Sequence, residues 1–172
     1  MNVLVTNRLQ LREFTEADVP SLHAIFSDVE TMKYYPAPFD YEKTVKWVER
    51  NQKRYIEDGH GLWAVCLKEM GQLIGDCGLV KQVVDGKMEV EIGYHINKNY
   101  WSKGYGTEAA HACKEYAFSN LGLHKVISII DPWNIPSCRV AEKIGLTVEK
   151  AAWVFQKWHV IYSSYNRDSK EK

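Results

Sequence analysis

The sequence predicts an α+β (mixed α/β) fold, a mostly antiparallel mixed sheet of about seven strands flanked by about four helices. Three observations predict it. Short runs with two-residue alternation or continuous apolar character recur along the chain, and segments with apolar residues at three- and four-residue spacing stand between them. Three strand-like runs follow one another across turn signals in the middle, as in an antiparallel meander. In the last third strand-like and helix-like segments alternate, as in sheets that carry helices on their faces.

Taken in order, "LVTNRLQLREF" (4–14) alternates over its second half and reads as strand one. Thr15, with Asp18 three residues on, is a variant capping box for a helix that places Val19, Leu22, Ile25 and Phe26 on one face and stops near Ser27. Pro36 and Pro38 impose an extended aromatic loop. A second helix follows, with Val45, Val48, Tyr55 and Ile56 at helical spacing, Trp47 alongside, and Gly59 and Gly61 at its end. The meander "GLWAVCLK", "QLIGDCGLVKQVV" and "KMEVEIGYHIN" turns at Met70-Gly71 and Asp85-Gly86. "TEAAHACKEYAFSNLG" (107–122) is a third helix, "HKVISIID" a short strand, "PSCRVAEKIG" a fourth helix closed by Gly145, and "LTVEKAAWVFQKWHVIYSSY" a final pair of strands. All 172 residues read as a single domain, 1–172, with "NRDSKEK" (166–172) as a frayed tail.

Composition narrows the function. Lys plus Arg and Asp plus Glu number 22 each, so no global field recruits nucleic acid, a membrane or a polyanionic partner, and any anion site must be local. Cys66, Cys77, Cys113 and Cys138 stand far apart and read as reduced thiols. The six histidines form no HExxH and no zinc-finger cluster, so no metal is expected. Without a signal-peptide pattern or a run of about 20 apolar residues, the expected location is cytoplasmic.

The local anion site is legible in "NYWSKGYGTEAA" (99–110). Gly104 and Gly106 strip side chains from a turn directly before a helix, so backbone N–H groups can converge on one point. The helix dipole and Lys103 add positive potential there, which suits a phosphate or pyrophosphate. A tight turn that merely needs glycine is the alternative reading. Neither GxxxxGK[ST] nor GxGxxG with a later acidic residue is present, so the common nucleotide signatures are absent.

"EIGYHINKNYWSKGYGTEAA" followed by "DPWNIPSCRVAEKIGL" resembles the acetyl-CoA-binding core of the GNAT (GCN5-related) N-acetyltransferases. The opening "TNRLQLREFTEADVPSL" is similar to the branch that includes ribosomal-protein N-terminal acetyltransferases, so the resemblance spans nearly the whole chain. It implies the GNAT fold, with "EIGYHI" as a central strand splayed from "VISIID" at the cofactor site. The family's Arg/Gln-x-x-Gly-x-Gly/Ala reads here Trp101-Ser102-Lys103-Gly104-Tyr105-Gly106, and the amides from Lys103 to Thr107 would surround the pyrophosphate. Backbone groups of Gly93, Tyr94 and Ile96 would pair with the pantetheine arm as a missing strand does, one of them facing the thioester oxygen.

An attacking amine must lose a proton. Glu91 is the first candidate base. It shares a strand face with Gly93 and His95, while Val90, Ile92, Tyr94 and Ile96 face the other way. His95 is the second candidate and Glu13 a weaker one; each has a plain structural reading as well. Many relatives place a tyrosine seven residues after the motif asparagine, where Asn134 here is followed by Ala141. Asn134 would instead hold the cofactor arm and Ser137 contact the sulfur side, unless Ser137 simply caps the last helix. Arg139 reaches the phosphates or solvates a helix face. Tyr34, Tyr35 and Trp63, with Trp153, Phe155 and Trp158, would shape an acceptor pocket or belong to the core.

These readings imply acetyl-CoA as cofactor and a primary amine as acceptor, either a protein N-terminus or a small molecule. A catalytically silent acyl-CoA sensor is the alternative, and a nucleotide-binding protein the weakest. An exposed edge strand or the C-terminal hairpin could pair with a second copy in a homodimer.

Overall fold

The computed structural model describes residues 2–168. One sheet of eight strands runs through it in the order β1-β2-β3-β4-β5-β6-β8-β7. The strands are β1 (Asn2–Val5), β2 (Leu9–Arg12), β3 (Leu62–Leu67), β4 (Leu73–Val84), β5 (Lys87–Ile96), β6 (Lys125–Ile130), β7 (Thr147–Val154) and β8 (Lys157–Tyr165). Four helices accompany them: α1 (Val19–Phe26), α2 (Tyr41–Glu57), α3 (Tyr105–Ser119) and α4 (Ile135–Lys143). Every pairing is antiparallel except that of β5 with β6.

The expected first strand is two strands, which makes eight rather than seven. Thr6 N–H donates to Leu9 O at 2.9 Å and Leu9 N–H to Thr6 Oγ1 at 3.0 Å, closing a turn at Thr-Asn-Arg that folds β1 back on β2. At the other end Asn166, the first residue of the expected tail, is held in place. Asn166 N–H donates to His124 O at 2.8 Å and its side-chain amide to Leu123 O at 3.2 Å, tying it to the body. The part of the expected tail from 169 to 172 lies outside the described residues.

Apolar side chains sort the helices to opposite faces of the sheet. Ala109, Ala110, Cys113 and Ala117 of α3 and Ala141 of α4 pack with Leu9, Leu11, Val65, Cys77, Leu79 and Ile92. Small residues on α3 let it lie close to the strands. On the other face Val19, Leu22, Ile25 and Phe26 of α1 and Val48 of α2 close over Ala64 and Cys66. Burial at roughly 25 cal/mol per Å² of apolar surface makes these two clusters the main source of stability.

The sheet opens at one place. β5 and β6 share a single register pair, Glu91 with Ile127, and Ser128 Oγ donates to Ile92 O at 3.0 Å. Beyond that bond the two strands part. β6 instead continues on β8, from Lys125 with Tyr165 to Ile130 with Val160. Because strand residues alternate edges, the carbonyl of Ile92 fixes the main-chain groups of Tyr94 and Ile96 toward the gap and those of Gly93 and His95 toward β4. Close approach of β4 here requires glycine: a Cβ on Gly75 would lie 2.0 Å from His95 O. Gly75→Ala is therefore expected to cost about 3 kcal/mol or more, read as a lowered midpoint in urea unfolding.

Candidate active site

The glycine turn stands beside the gap. Ser102 and Gly104 take positive φ, 61° and 81°, and α3 starts at Tyr105, two residues earlier than the sequence suggested. Its first ladder bond runs from Glu108 N–H to Gly104 O at 3.0 Å, so the N–H groups of Tyr105, Gly106 and Thr107 lie outside the helical ladder. Three such donors at a helix N-terminus make a cradle that can receive an anion.

A clamp invisible in the local sequence holds this turn. Arg8, in the β1–β2 turn, donates through Nη1 to Lys103 O at 2.9 Å and through Nε to Glu108 Oε1 at 3.1 Å, and stacks 4.3 Å from the Tyr105 ring centre. Thr6 Oγ1 donates to the second Glu108 oxygen at 3.1 Å. Arg8→Ala is expected to cost about 1 kcal/mol through loss of this anchoring, read as a lowered midpoint in urea unfolding.

From the cradle a cavity of about 520 Å³ extends through the sheet gap. Tyr94, Ile96, Trp101, Ser102, Gly104, Tyr105, Gly106, Thr107, Asn134, Ser137 and Arg139 line it, as do Tyr34, Tyr35 and His95. Tyr94 and Ile96 face α3, while His95 packs against α1 and α2, so the cavity touches both faces. Lys103, Glu91, Gly93 and Trp63 are not in its wall. Gly93 pairs with Gly78 on β4, and Trp63 is a buried core residue edge-on to Tyr116. Trp153, Phe155 and Trp158 stand exposed at the β7–β8 tip, away from the cavity. Glu13 stands just beyond β2 and is exposed.

Several of these lining residues also have structural partners. Asn134 Oδ1 accepts Ser137 N–H at 3.3 Å, so Asn134 is the cap of α4 and Ser137 lies inside the helix. Trp101 Nε1–H donates to Ile96 O at 2.7 Å, which ties the indole to the end of β5. The Tyr94 hydroxyl is buried and makes no hydrogen bond among the described residues. Burial raises that phenol above its ordinary range and the neighbouring Ser137 hydroxyl only partly offsets it.

Two titratable groups occupy the α1/α2 side of β5. Glu91 sits where β5 and β6 part, and accepts Gln82 Nε2–H at 3.2 Å. Burial pushes its carboxyl up to about 7, against the pull of Gln82, the Ile129 N–H, His95 and Arg54. His95 Nδ1 lies 2.7 Å from Asp76 Oδ1, and Asp76 Oδ2 accepts Trp47 Nε1–H at 2.9 Å. Among the described residues no group of three or more His, Cys, Asp or Glu is placed to hold a metal ion, and no helix is long and apolar enough to cross a membrane.

A splayed parallel pair, a glycine-rich cradle at a helix N-terminus and a through-sheet cavity define a GNAT-type acyltransferase. A family model described as "Acetyltransferase (GNAT) domain" matches residues 8–147, and the chain belongs to that family. The chain is 37% identical over 167 residues to "Uncharacterized protein YkkB" of Bacillus subtilis (strain 168), covering 96% of this chain and 95% of that one. It is 37% identical over 147 residues to "Uncharacterized N-acetyltransferase YnaD" of the same organism, with 85% and 83% covered. The crystal structure of a GNAT-family acetyltransferase from Bacillus anthracis superposes with a TM-score of 0.80 at 31% identity, covering 98% of this chain and 100% of that one. The protein is thus an N-acetyltransferase by family.

Proposed function

We propose that the protein transfers the acetyl group of acetyl-CoA to a primary amine, a protein N-terminus or a small molecule, by direct attack of the amine on the thioester. The observation that carries this reading is the gap between β5 and β6, which opens onto the cradle of α3 at one end and onto His95 at the other. The residues present fit the cofactor: the cradle offers N–H groups outside the helical ladder to a pyrophosphate, and the open edge of β5 offers the main-chain groups of Tyr94 and the Ile96 N–H to an amide-bearing arm, the Ile96 carbonyl being taken by Trp101. Arg139 lines the cavity near the cradle and supplies positive charge for the phosphates.

When bound, acetyl-CoA supplies an activated acetyl carbon whose bond to sulfur is exchanged for a bond to the acceptor nitrogen. The Tyr94 N–H, fixed on the gap side of β5, is the donor placed to receive negative charge developing on the carbonyl oxygen. His95, in the cavity wall on the α1/α2 face, is the group that takes up the acceptor's proton, and Glu91 stands behind it on the same face of β5, outside that wall. Ser137, in the first turn of α4, and the buried Tyr94 hydroxyl next to it take the part of the missing helix tyrosine as proton donors to the departing sulfur. Tyr34 and Tyr35 form the acceptor's approach.

Asn134→Ala is expected to weaken acetyl-CoA binding several-fold and to lower stability by about 1 kcal/mol through loss of the α4 cap. Normal affinity with lowered stability would assign Asn134 a capping role alone. The reading as a whole is tested by titrating acetyl-CoA calorimetrically and following free thiol with a panel of amines and N-terminal peptides. Binding with thiol release in the presence of an amine supports it; binding without release from any acceptor would point to a silent acyl-CoA sensor.

A further inference from the structure

We propose that Asp76 is the positioning residue of a two-residue proton relay: it holds His95 with Nδ1 protonated, so that the bare Nε2 receives the acceptor amine's proton. The proposal rests on the acetyl-transfer reading above and goes beyond it by assigning the proton's path and the residue that sets it.

His95 is 9% exposed and Asp76 is 0% exposed. Their 2.7 Å contact joins β5 to β4 through neighbouring residues of one register pair, Asp76 with His95. The second Asp76 oxygen is occupied by Trp47 Nε1–H, which can only donate. An acceptor held between two N–H groups fixes the imidazole as the Nδ1–H tautomer. His95 Nε2 is then a lone pair, and it is buried with no hydrogen-bond partner among the described residues. Buried polar atoms in native proteins are nearly always paired, so an unpaired one on a residue that lines the cavity marks a place where a donor from outside is received.

The surroundings hold the ring in place. Phe26 of α1, Trp47 of α2 and Tyr35 pack around it at centroid distances of 5.2, 5.5 and 4.7 Å. The titratable groups that face it are Asp76 from β4, Glu91 from its own strand and Tyr35 from the loop; α1 and α2 contribute uncharged rings. A primary amine entering between these rings meets Nε2 as an unpaired acceptor, which favours a substrate amine with a slender apolar or aromatic neck. As the C–N bond forms, the C–S electron pair leaves on sulfur and one N–H proton passes to Nε2. The imidazolium then releases that proton to solvent and the thiolate gains one, so amine plus thioester becomes amide plus thiol with no other reagent.

The experiment combines nitrogen-15 NMR of the histidine rings in the free protein with steady-state kinetics of Asp76→Asn and His95→Gln. The parent is expected to show His95 as the Nδ1–H tautomer, and Asp76→Asn to lose it. Both variants are expected to lower kcat about a hundredfold or more while changing the KM for acetyl-CoA by no more than about twofold. The acid limb of kcat against pH is expected to vanish in His95→Gln, a test that stands if Asp76→Asn does not fold. An Nε2–H tautomer in the parent, or an acid limb retained in His95→Gln, would overturn the relay while leaving acetyl transfer intact. A parent that releases no thiol with any amine would overturn acetyl transfer, and the relay with it.

Discussion

Gly106→Glu is expected to abolish acetyl-CoA binding while the free protein keeps its fold. Gly106 is the second residue of α3, its N–H lies outside the helical ladder, and it lines the cavity. A Cβ added there would sit 3.7 Å from the Tyr94 ring and 3.8 Å from Ile96 Cγ1, which is ordinary contact. Gly106→Ala should therefore fold and bind much as the parent does. A glutamate at the same place fills the channel and sets a negative charge against a diphosphate at the helix N-terminus. Together these should cost at least about 3 kcal/mol, or more than a hundredfold in Kd by calorimetric titration. Gly104 is a poorer site for the test. Its φ of 81° strains any side chain, and a Cβ there would meet Arg8 Nη2 at 3.3 Å, so substitution disturbs the clamp as well as the cradle.

The second large effect concerns Glu91 and pH. Burial places its carboxyl at about 7 in the folded protein against 4.5 unperturbed, so the folded state binds this proton more tightly than the unfolded state. Below the unfolded value both states are protonated and the group's contribution is fully present. Between about 4.5 and 7 stability is lost as pH rises, and above that the loss is complete. Its full size is up to about 3 kcal/mol. Glu91→Gln keeps the shape and removes the ionisation. The variant is expected to match the parent near pH 4 and to exceed its stability at pH 8 by up to that amount, several degrees in Tm. A stability difference of the same size at both pH values would contradict the buried carboxyl.

Sequence made some features of the site plain and hid others for identifiable reasons. The cradle was legible because all its parts lie within one short stretch, Trp101 to Thr107, and glycine before a helix has few physical uses. The opposite facing of His95 and Tyr94 followed from strand alternation alone. The N-terminal hairpin was hidden because the apolar run Val3-Leu4-Val5 and the alternating run from Leu9 are only three residues apart, and Thr6-Asn7-Arg8 carries neither the glycine nor the proline that most plainly marks a turn. Arg8 and Asp76 were missed because their partners are remote: Arg8 meets Glu108 a hundred residues away, and Asp76 meets Trp47 and His95 across three elements. No local pattern marks such residues. Trp63 carried an ambiguous signal, since an aromatic in a short apolar strand can line a pocket or fill a core, and here it fills the core. At α4 the sequence reading allowed Ser137 as the cap, and the geometry puts the cap three residues earlier, at Asn134, which accepts the Ser137 N–H.

The central claim is that the gap between β5 and β6 carries acetyl transfer from acetyl-CoA to an amine. Its most direct test is to incubate the protein with acetyl-CoA and a panel of primary amines, then quantify free CoA thiol and acetylated amine together by mass spectrometry. The account predicts equal amounts of the two products with at least one amine, and loss of both in Gly106→Glu. Failure of acetyl-CoA to bind the parent protein, or thiol release with no acetylated amine, would contradict it.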